Sequence, residues 1–215
     1  MNLRTRLFLD VVCSHIPEPP ARVLEVGCGR GELALALAKR GFDVTAIDPN
    51  APDGAIFRRV CVEDFSDERG FDAVVASLSL HHIHDLGDAL DRIASFLPPA
   101  GPLVLDEWAP ERLAGRTARW YFGQRRALAL AGHTDSGVPD DFDAWERQTA
   151  ASLVDLHTSS TIRSELSSRF AERMFEWRPF LYSRRLDDTL EPSEQALIDE
   201  GGIDATGFRY VGERR

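Results

Sequence analysis

The sequence contains few cysteines: only three among its 215 residues, at Cys13, Cys28 and Cys61. An odd number of cysteines argues against a disulfide framework, and these spacings match no zinc-binding or redox motif. We therefore expect reduced thiols, as in a cytoplasmic protein.

Long apolar runs are also absent. No stretch approaches the roughly 18 apolar residues that a membrane span requires. At the N-terminus Arg4, Arg6 and Asp10 interrupt the apolar residues, whereas a secretory signal peptide has a continuous apolar region. The sequence thus predicts neither membrane insertion nor secretion, in agreement with a cytoplasmic location.

The third deficit is in basic charge, since 25 basic residues face 35 acidic ones and the net charge is -10. Proteins that bind nucleic acid usually carry a basic excess that replaces the counterions of the phosphates. Five arginines lie between Arg112 and Arg126, but a solvated helix face explains them equally well. We therefore expect no nucleic-acid partner.

What the sequence does contain is an alternation of short apolar runs with helical patterns over residues 22–105. Such alternation predicts βαβ units and a parallel sheet. The predicted helices are Gly31–Arg40 and Leu86–Leu97, the latter with leucine and isoleucine at three- and four-residue spacing. The predicted strands are Arg22–Val26, Asp43–Asp48, Phe57–Val62, Phe71–Ser77 and Pro102–Asp106.

The chain changes character near residue 106, and every tryptophan and tyrosine lies beyond residue 105. Aromatic side chains dominate apolar binding surfaces, so these residues either contact a substrate or form the core of a helical cap. The predicted elements are helices Glu111–Ala131, Asp143–Leu156 and Ile162–Arg173, a polar turn region Gly132–Asp141, and strands Met174–Tyr182 and Phe208–Glu213.

The strongest motif is the segment VLEVGCGRG at residues 23–31, in which a strand enters a glycine-rich turn before a helix. Gly27 and Gly29 remove Cβ atoms where a ligand approaches the backbone, and Gly31 lets the helix begin close behind. The helix N-terminus then offers free N–H groups to a polar ligand. A dinucleotide-binding turn would place its third glycine where this sequence has Glu32, and it needs no acid at Glu25.

This acid-plus-glycine spacing resembles the first motif of the class I S-adenosylmethionine-dependent methyltransferases. The resemblance covers residues 22–106 and is nearest to the small type 11 group. It implies a Rossmann-like α/β fold: a seven-stranded, mostly parallel sheet with an antiparallel last strand, flanked by helices, with a helical insertion over the cofactor cleft. We expect one domain, divided into a lead-in helix (1–21), cofactor-binding core (22–106), helical cap or substrate region (107–172) and final strands (173–215).

The resemblance also implies cofactor contacts, beginning with Glu25, which would hold the methionine ammonium beside Gly27, Cys28, Gly29 and Gly31. Asp48, followed by Pro49, ends the second strand, where a carboxylate can accept hydrogen bonds from ribose hydroxyls. An acid after the third strand would bind the adenine amino group; Glu63 and Asp64 are both candidates, and Glu63 comes first. Phe65 would pack on adenine or belong to the core.

The fourth predicted strand leads through Ser77 and Leu78 into His81-His82-Ile-His84, a stretch that the resemblance places beside the methionine portion. Three histidines so close on one turn point in different directions, and the zinc motif His-Glu-x-x-His is absent, so we expect no metal. An imidazole can accept a proton from an acceptor hydroxyl. His82, or alternatively His81, is the candidate base; His82 could instead hold the loop around the cofactor.

The resulting prediction is methyl transfer from S-adenosylmethionine to an O, N or C nucleophile of a small molecule. Two alternatives stay open: a non-catalytic S-adenosylmethionine-binding or regulatory protein, and a nicotinamide-dependent oxidoreductase. The second is disfavoured by Glu32 and by the absence of a Tyr-x-x-x-Lys pair. The identity of the acceptor and the oligomeric state do not follow from the sequence.

Overall fold

The computed structural model of the chain describes residues 1–132 and 137–215. Its strands are β1 (Arg22–Val26), β2 (Asp43–Ile47), β3 (Phe57–Arg58), β4 (Ala73–Ser77), β5 (Pro102–Trp108), β6 (Phe170–Arg178) and β7 (Gly207–Arg214). Its helices are α1 (Leu3–His15), α2 (Glu32–Lys39), α3 (Leu86–Phe96), α4 (Gly115–Leu130), α5 (Phe142–Ala151), α6 (Ser159–Arg169) and α7 (Glu191–Asp199). Within the described ranges, the strands form one seven-stranded sheet in the order β3-β2-β1-β4-β5-β7-β6.

Strands β1 to β5 are parallel. Val26, the last residue of β1, lies opposite Ile47 of β2 and Ala76 of β4, and Ser77 lies opposite Asp106. The carboxyl ends of these strands therefore meet at one edge of the sheet, where open α/β sheets bind their ligands.

Strand β7 runs against its neighbours. The Arg214 N–H donates to the Gly101 carbonyl at 3.0 Å, and the Ala109 N–H donates to the Thr206 carbonyl at 2.7 Å. The start of β7 thus faces the end of β5, and the predicted fold class, a mostly parallel sheet with an antiparallel last strand, is confirmed.

A continuous apolar core covers one face of β1 and β2. Phe8, Leu9 and Val12 of α1 are fully buried and belong to the same cluster as Leu33 and Leu37 of α2. Spacings of three and four residues place such side chains on one side of a helix. Burying each of them contributes about 1.5–3 kcal/mol, which fixes α1 and α2 at the sheet.

The chain divides into two compact units. The first unit comprises Met1–Glu107, Ser160–Glu176 and Arg209–Arg215, and the second unit comprises Trp108–Ser159 and Trp177–Phe208. The second unit is built around aromatic pairs such as Tyr121 with Trp145 (ring centroids 5.9 Å apart) and Phe122 with Phe142 (5.5 Å).

Several predicted boundaries were wrong. The predicted strand Phe57–Val62 pairs only over Phe57–Arg58, because β3 is the edge strand and has β2 as its single neighbour. The helix predicted to end at Arg173 ends at Arg169, whose carbonyl accepts the Arg215 N–H at 3.0 Å. Pairing with β7 therefore overrides helical propensity from Phe170 onward. Part of the predicted turn region Gly132–Asp141 lies outside the described residues.

Helix α7 was not predicted, although its sequence carries a start signal. Pro192 occupies the first turn, and Glu191 and Glu194 supply acidic charge there. Proline and acidic residues both favour a helix N-terminus, but only nine residues follow this start, too few for a clear apolar periodicity.

Candidate functional site

A cavity of about 800 Å³ lies in the first unit, at the carboxyl ends of β1, β2 and β4. This volume is within the range of about 300–1,000 Å³ typical of small-molecule sites. Ten of the predicted site residues line it: Glu25, Gly27, Cys28, Gly29, Asp48, Pro49, Glu63, Ser77, Leu78 and His82. Three do not: Gly31, Asp64 and Phe65.

The glycine-rich turn forms one wall of the cavity. Gly27 has a φ of +75°, and a Cβ atom built there would lie 2.3 Å from the Cβ of Ser79. The N–H groups of Gly27 and Cys28 both donate to the Ile47 carbonyl, at 2.9 and 3.1 Å. A side chain at Gly27 is therefore excluded by the loop that follows β4, independently of any ligand.

Gly31 is not among the residues that line the cavity. It caps α2 with a φ of +79°, and an added Cβ would lie 2.4 Å from the ring of Phe57. The requirement for glycine comes from packing between α2 and β3, which agrees with the expectation that it lets the helix begin close behind the turn.

Glu25 presents an unsatisfied polar atom at this wall. The residue is 2% exposed, and within residues 1–132 and 137–215 its buried Oε2 has no hydrogen-bond partner. Burial raises the pKa of Glu25 to about 8; the Ala34 backbone hydrogen bond opposes this rise, and the negative charge of Asp48 adds to it. An unpaired buried carboxyl oxygen is costly, and a bound ammonium group would both pair with it and favour its ionised form.

Asp48 is held by the turn rather than by another side chain. Its Oδ2 accepts the Gly29 N–H at 3.0 Å and its Oδ1 accepts the Asn50 N–H at 2.7 Å. Each carboxylate oxygen has a second lone pair, so Asp48 retains the capacity to accept two hydroxyl groups. The residues present therefore fit a nucleoside that carries a free amino-acid group, such as S-adenosylmethionine.

The segment after β3 separates the two candidate acids. Glu63 lines the cavity, whereas Asp64 does not. Phe65 is 8% exposed and packs its ring against Phe71 and Phe96, at centroid distances of 6.3 and 5.4 Å. Phe65 thus packs in the core, the second of the two roles considered for it, and it is not among the residues that line the cavity.

The histidines after β4 differ in exposure. His82 is exposed and lines the cavity. His81 is 3% exposed, and its Nδ1 lies 2.6 Å from Oε2 of Glu107. A proton acceptor for a substrate must be accessible from the site, so the geometry favours His82 over His81 for that role. Within residues 1–132 and 137–215, no three His, Cys, Asp or Glu side chains are grouped as metal ligands would be.

The N-terminus supplies cavity residues that the sequence analysis missed: Asn2, Arg4 and Thr5. Arg4 donates to Ser77 Oγ at 2.8 Å and to Asp106 Oδ2 at 2.5 Å. Burial raises the pKa of Asp106, an effect that the positive charges of Arg4 and Arg209 oppose. The available signal was Asn2, whose side chain accepts the Thr5 N–H as a helix cap.

Cys28 is a buried thiol rather than a nucleophile. Burial, reinforced by the negative charges of Glu25 and Asp48, raises its pKa to about 12, so the unreactive protonated form dominates at neutral pH.

Among the helices of the described ranges, none combines the length and apolar character needed to cross a bilayer.

The chain is similar in sequence to known methyltransferases. A family model described as a methyltransferase domain matches residues 3–167. An uncharacterised methyltransferase of Mycobacterium tuberculosis is 36% identical over 142 residues, covering 60% of this chain and 70% of that protein. A ubiquinone biosynthesis O-methyltransferase of Xanthomonas campestris pv. campestris is 32% identical over 184 residues, covering 75% of this chain and 77% of that protein.

Solved structures share the fold at lower identity. One is the 1,6-didemethyltoxoflavin-N1-methyltransferase of Burkholderia thailandensis with bound 1,6-didemethyltoxoflavin and S-adenosylhomocysteine. It matches with a TM-score of 0.58 and 16% identity, covering 99% of this chain and 79% of that one.

Proposed function

Because the chain belongs to the class I S-adenosylmethionine-dependent methyltransferases, we propose that it methylates an oxygen, nitrogen or carbon nucleophile of a small molecule. The observation that carries the assignment of the cofactor to its site is Glu25, whose buried Oε2 lacks a partner at the wall of the 800 Å³ cavity. Bound there, the cofactor supplies a methyl group already activated by a sulfonium.

The cofactor contacts follow from the donors and acceptors around the cavity. We assign the methionine ammonium to Glu25, the ribose hydroxyls to Asp48 and the adenine amino group to Glu63. Gly27, Cys28, Gly29, Pro49, Ser77 and Leu78 complete the walls. These residues bind and orient; aligning the acceptor with the methyl group supplies much of the rate in such reactions.

His82 is assigned the removal of the acceptor proton. It is exposed at the cavity, and a neutral imidazole can accept a proton. A hydroxyl or amine acceptor must lose a proton as the methyl group arrives, and neutral His82 would accept it.

A small-molecule acceptor is supported by charge and by the known proteins. The net charge of -10 disfavours nucleic acid, and the relatives include an enzyme named for ubiquinone biosynthesis and one crystallised with 1,6-didemethyltoxoflavin. We also propose that the protein is cytoplasmic, because all three of its cysteines are free thiols.

Labelled methyl transfer tests this proposal. The protein is incubated with methyl-labelled S-adenosylmethionine and an extract divided by ultrafiltration into small molecules and macromolecules. We expect label in the small-molecule fraction, and at least about tenfold less of it with Asp48→Ala at limiting cofactor. Label found only in protein or nucleic acid would overturn the acceptor class while leaving the cofactor assignment intact.

A further inference from the structure

The loop that follows β4 borders the cavity in an unfavourable backbone conformation. Leu78 has a φ of +55°, a left-handed conformation that costs a residue other than glycine roughly 1–2 kcal/mol. Leu78, Ser79 and His82 all line the cavity. Such strain persists only where the surroundings hold the chain in place, and it clusters at ligand sites.

The group that holds this loop is the carboxylate of Glu107, in β5. Its Oε1 accepts the N–H groups of Ser79 and Leu80, at 2.9 and 2.7 Å. Its Oε2 lies 2.6 Å from Nδ1 of His81. The Glu107 side chain is wholly buried, so these bonds form without competition from water, and hydrogen bonds to a charged group are the strong ones.

The loop in turn contacts the glycine-rich turn. Ser79 Oγ donates to the Val26 carbonyl at 3.1 Å, and the Cβ of Ser79 occupies the space beside Gly27. The neighbouring Asp106 carbonyl accepts the Leu78 N–H at 2.9 Å. Two consecutive residues of β5 therefore fix the loop that closes one side of the cavity.

We infer that Glu107 is a positioning residue of the cofactor site: its carboxylate holds residues 78–82 in the strained conformation that lines the cavity, and it fixes the ring of His81 behind His82. Glu107 does not line the cavity formed by the described residues, so it acts through the loop and not on substrate. The inference rests on this cavity being the cofactor site.

The ring of His81 provides a signature of this role. An ionised carboxylate only accepts hydrogen bonds, so in a contact with ionised Glu107 the donor is Nδ1–H of His81. In Glu107→Gln, the amide oxygen can still accept both backbone N–H groups, but its NH₂ faces Nδ1. The ring must then accept at Nδ1 and carry its proton on Nε2. This variant thus preserves the loop and reverses the tautomer.

Two variants separate the backbone hydrogen bonds of Glu107 from its contact with the His81 ring. Glu107→Ala removes the acceptor of two backbone N–H groups and the partner of the His81 ring, a loss that destabilises the loop; we expect S-adenosylhomocysteine affinity by calorimetry to fall about tenfold or more. Glu107→Gln should bind within about threefold of the parent, a difference under 1 kcal/mol. Imidazole ¹H–¹⁵N spectra should show His81, assigned with His81→Asn, moving from the Nδ1–H to the Nε2–H tautomer.

Glu194 offers a matched control in the second unit. It is wholly buried, and it accepts the N–H groups of Phe180, Leu181 and Tyr182, at 2.8, 2.9 and 2.7 Å. Glu194→Ala also removes the buried acceptor of three N–H groups. It should therefore lower the melting temperature about as much as Glu107→Ala does, but leave S-adenosylhomocysteine affinity unchanged.

The possible outcomes separate the cofactor site itself from the positioning role of Glu107. A parent protein that does not bind S-adenosylhomocysteine overturns the cofactor site and the inference with it. Parental affinity in folded Glu107→Ala, or an equal loss in Glu194→Ala, overturns the inference alone. If Glu107→Ala does not fold, Glu107→Gln decides: retained affinity with a reversed tautomer supports the role, and an unchanged tautomer or a large loss of affinity contradicts it.

Discussion

Glu25 in the first unit and Glu194 in the second unit are both buried carboxylic acids, with exposed fractions of 2% and 0%. Glu194 accepts three backbone N–H groups, whereas Oε2 of Glu25 has no hydrogen-bond partner among the described residues. A buried polar group that serves stability is saturated by the fold. A buried polar group that binds a ligand is left without a partner until the ligand arrives, and on our proposal this is the difference between Glu25 and Glu194.

The largest effect should come from His82, which, like His84, is exposed and lines the cavity. If His82 accepts the acceptor proton, His82→Ala should lower the rate of label transfer at saturating cofactor by about 10²–10⁴-fold. S-adenosylhomocysteine affinity and melting temperature should stay near those of the parent. Initial rates with the small-molecule fraction provide the measurement.

His15 supplies the control for that experiment, since it is an exposed histidine at the end of α1 that does not line the cavity. His15→Ala should leave the rate unchanged. A loss of affinity and melting temperature alongside the rate in His82→Ala would instead assign His82 to holding the loop around the cofactor.

The next effect concerns Asp48, compared with an aspartate of the second unit. Asp48→Ala removes the acceptor of two ribose hydroxyls, each hydrogen bond to a charged group contributing about 1.5–3 kcal/mol. We therefore expect S-adenosylhomocysteine affinity to fall at least about tenfold in calorimetry. Asp187 also accepts the N–H two residues ahead, from Thr189 at 2.9 Å, as Asp48 does from Asn50. Equal affinities in Asp48→Ala, Asp187→Ala and the parent would reduce Asp48 to a turn residue.

The sequence was most informative where one strand leads directly into one turn. β1 was predicted at its observed bounds, and Glu25, Gly27, Gly29 and Asp48 all reached the cavity, because their relative positions depend on a few adjacent residues and on parallel pairing. Which of Glu63 and Asp64 lines the cavity depends on the direction that the chain takes after β3. The edge of the sheet sets that direction, and the local sequence pattern does not.

Residues brought in from distant segments could not be predicted. Arg4 reaches Asp106 across 102 positions of sequence, and Glu107 reaches Ser79 across 28. Neither pair has a spacing that singles it out, because tertiary packing sets both distances. The β6 boundary failed for a related reason, since pairing with β7 decides where α6 stops.

A smaller effect, on stability, distinguishes the two buried glutamates by pH. Burial raises the pKa of Glu25 to about 8, so between its ordinary pKa near 4.5 and pH 8 the unfolded chain loses a proton that the folded chain keeps. The stabilisation is therefore complete below about pH 4.5 and declines as pH rises, by up to about 1.4 kcal/mol per pH unit. Glu25→Gln should remove this decline, as measured by urea unfolding of the ligand-free protein at pH 5.5, 6.5 and 7.5.

Glu194→Gln sharpens that measurement. Burial also raises the pKa of Glu194, but the N–H groups of Leu181, Phe180 and Tyr182 counteract the rise. Its substitution should remove a shallower pH dependence of the same sign. Parallel pH curves for Glu25→Gln and the parent would show that Oε2 of Glu25 has a partner in solution, and the contrast between the two glutamates would be lost.

The smallest effect compares two glycines with nearly the same backbone. Gly29 has a φ of +50° and Gly115 a φ of +53°, and an added Cβ would meet nothing within 4 Å at either position. Alanine should therefore cost both sites the same roughly 1–2 kcal/mol of backbone strain in urea unfolding.

Gly29 borders the cavity and Gly115 belongs to the second unit. Only Gly29→Ala places a methyl group where a ligand approaches, so S-adenosylhomocysteine affinity should fall about threefold to tenfold for this variant, 1.4 kcal/mol being a factor of ten. Equal affinities for the two alanine variants would mean that the ligand does not approach the backbone at Gly29, and the turn would then need glycine there for its φ alone.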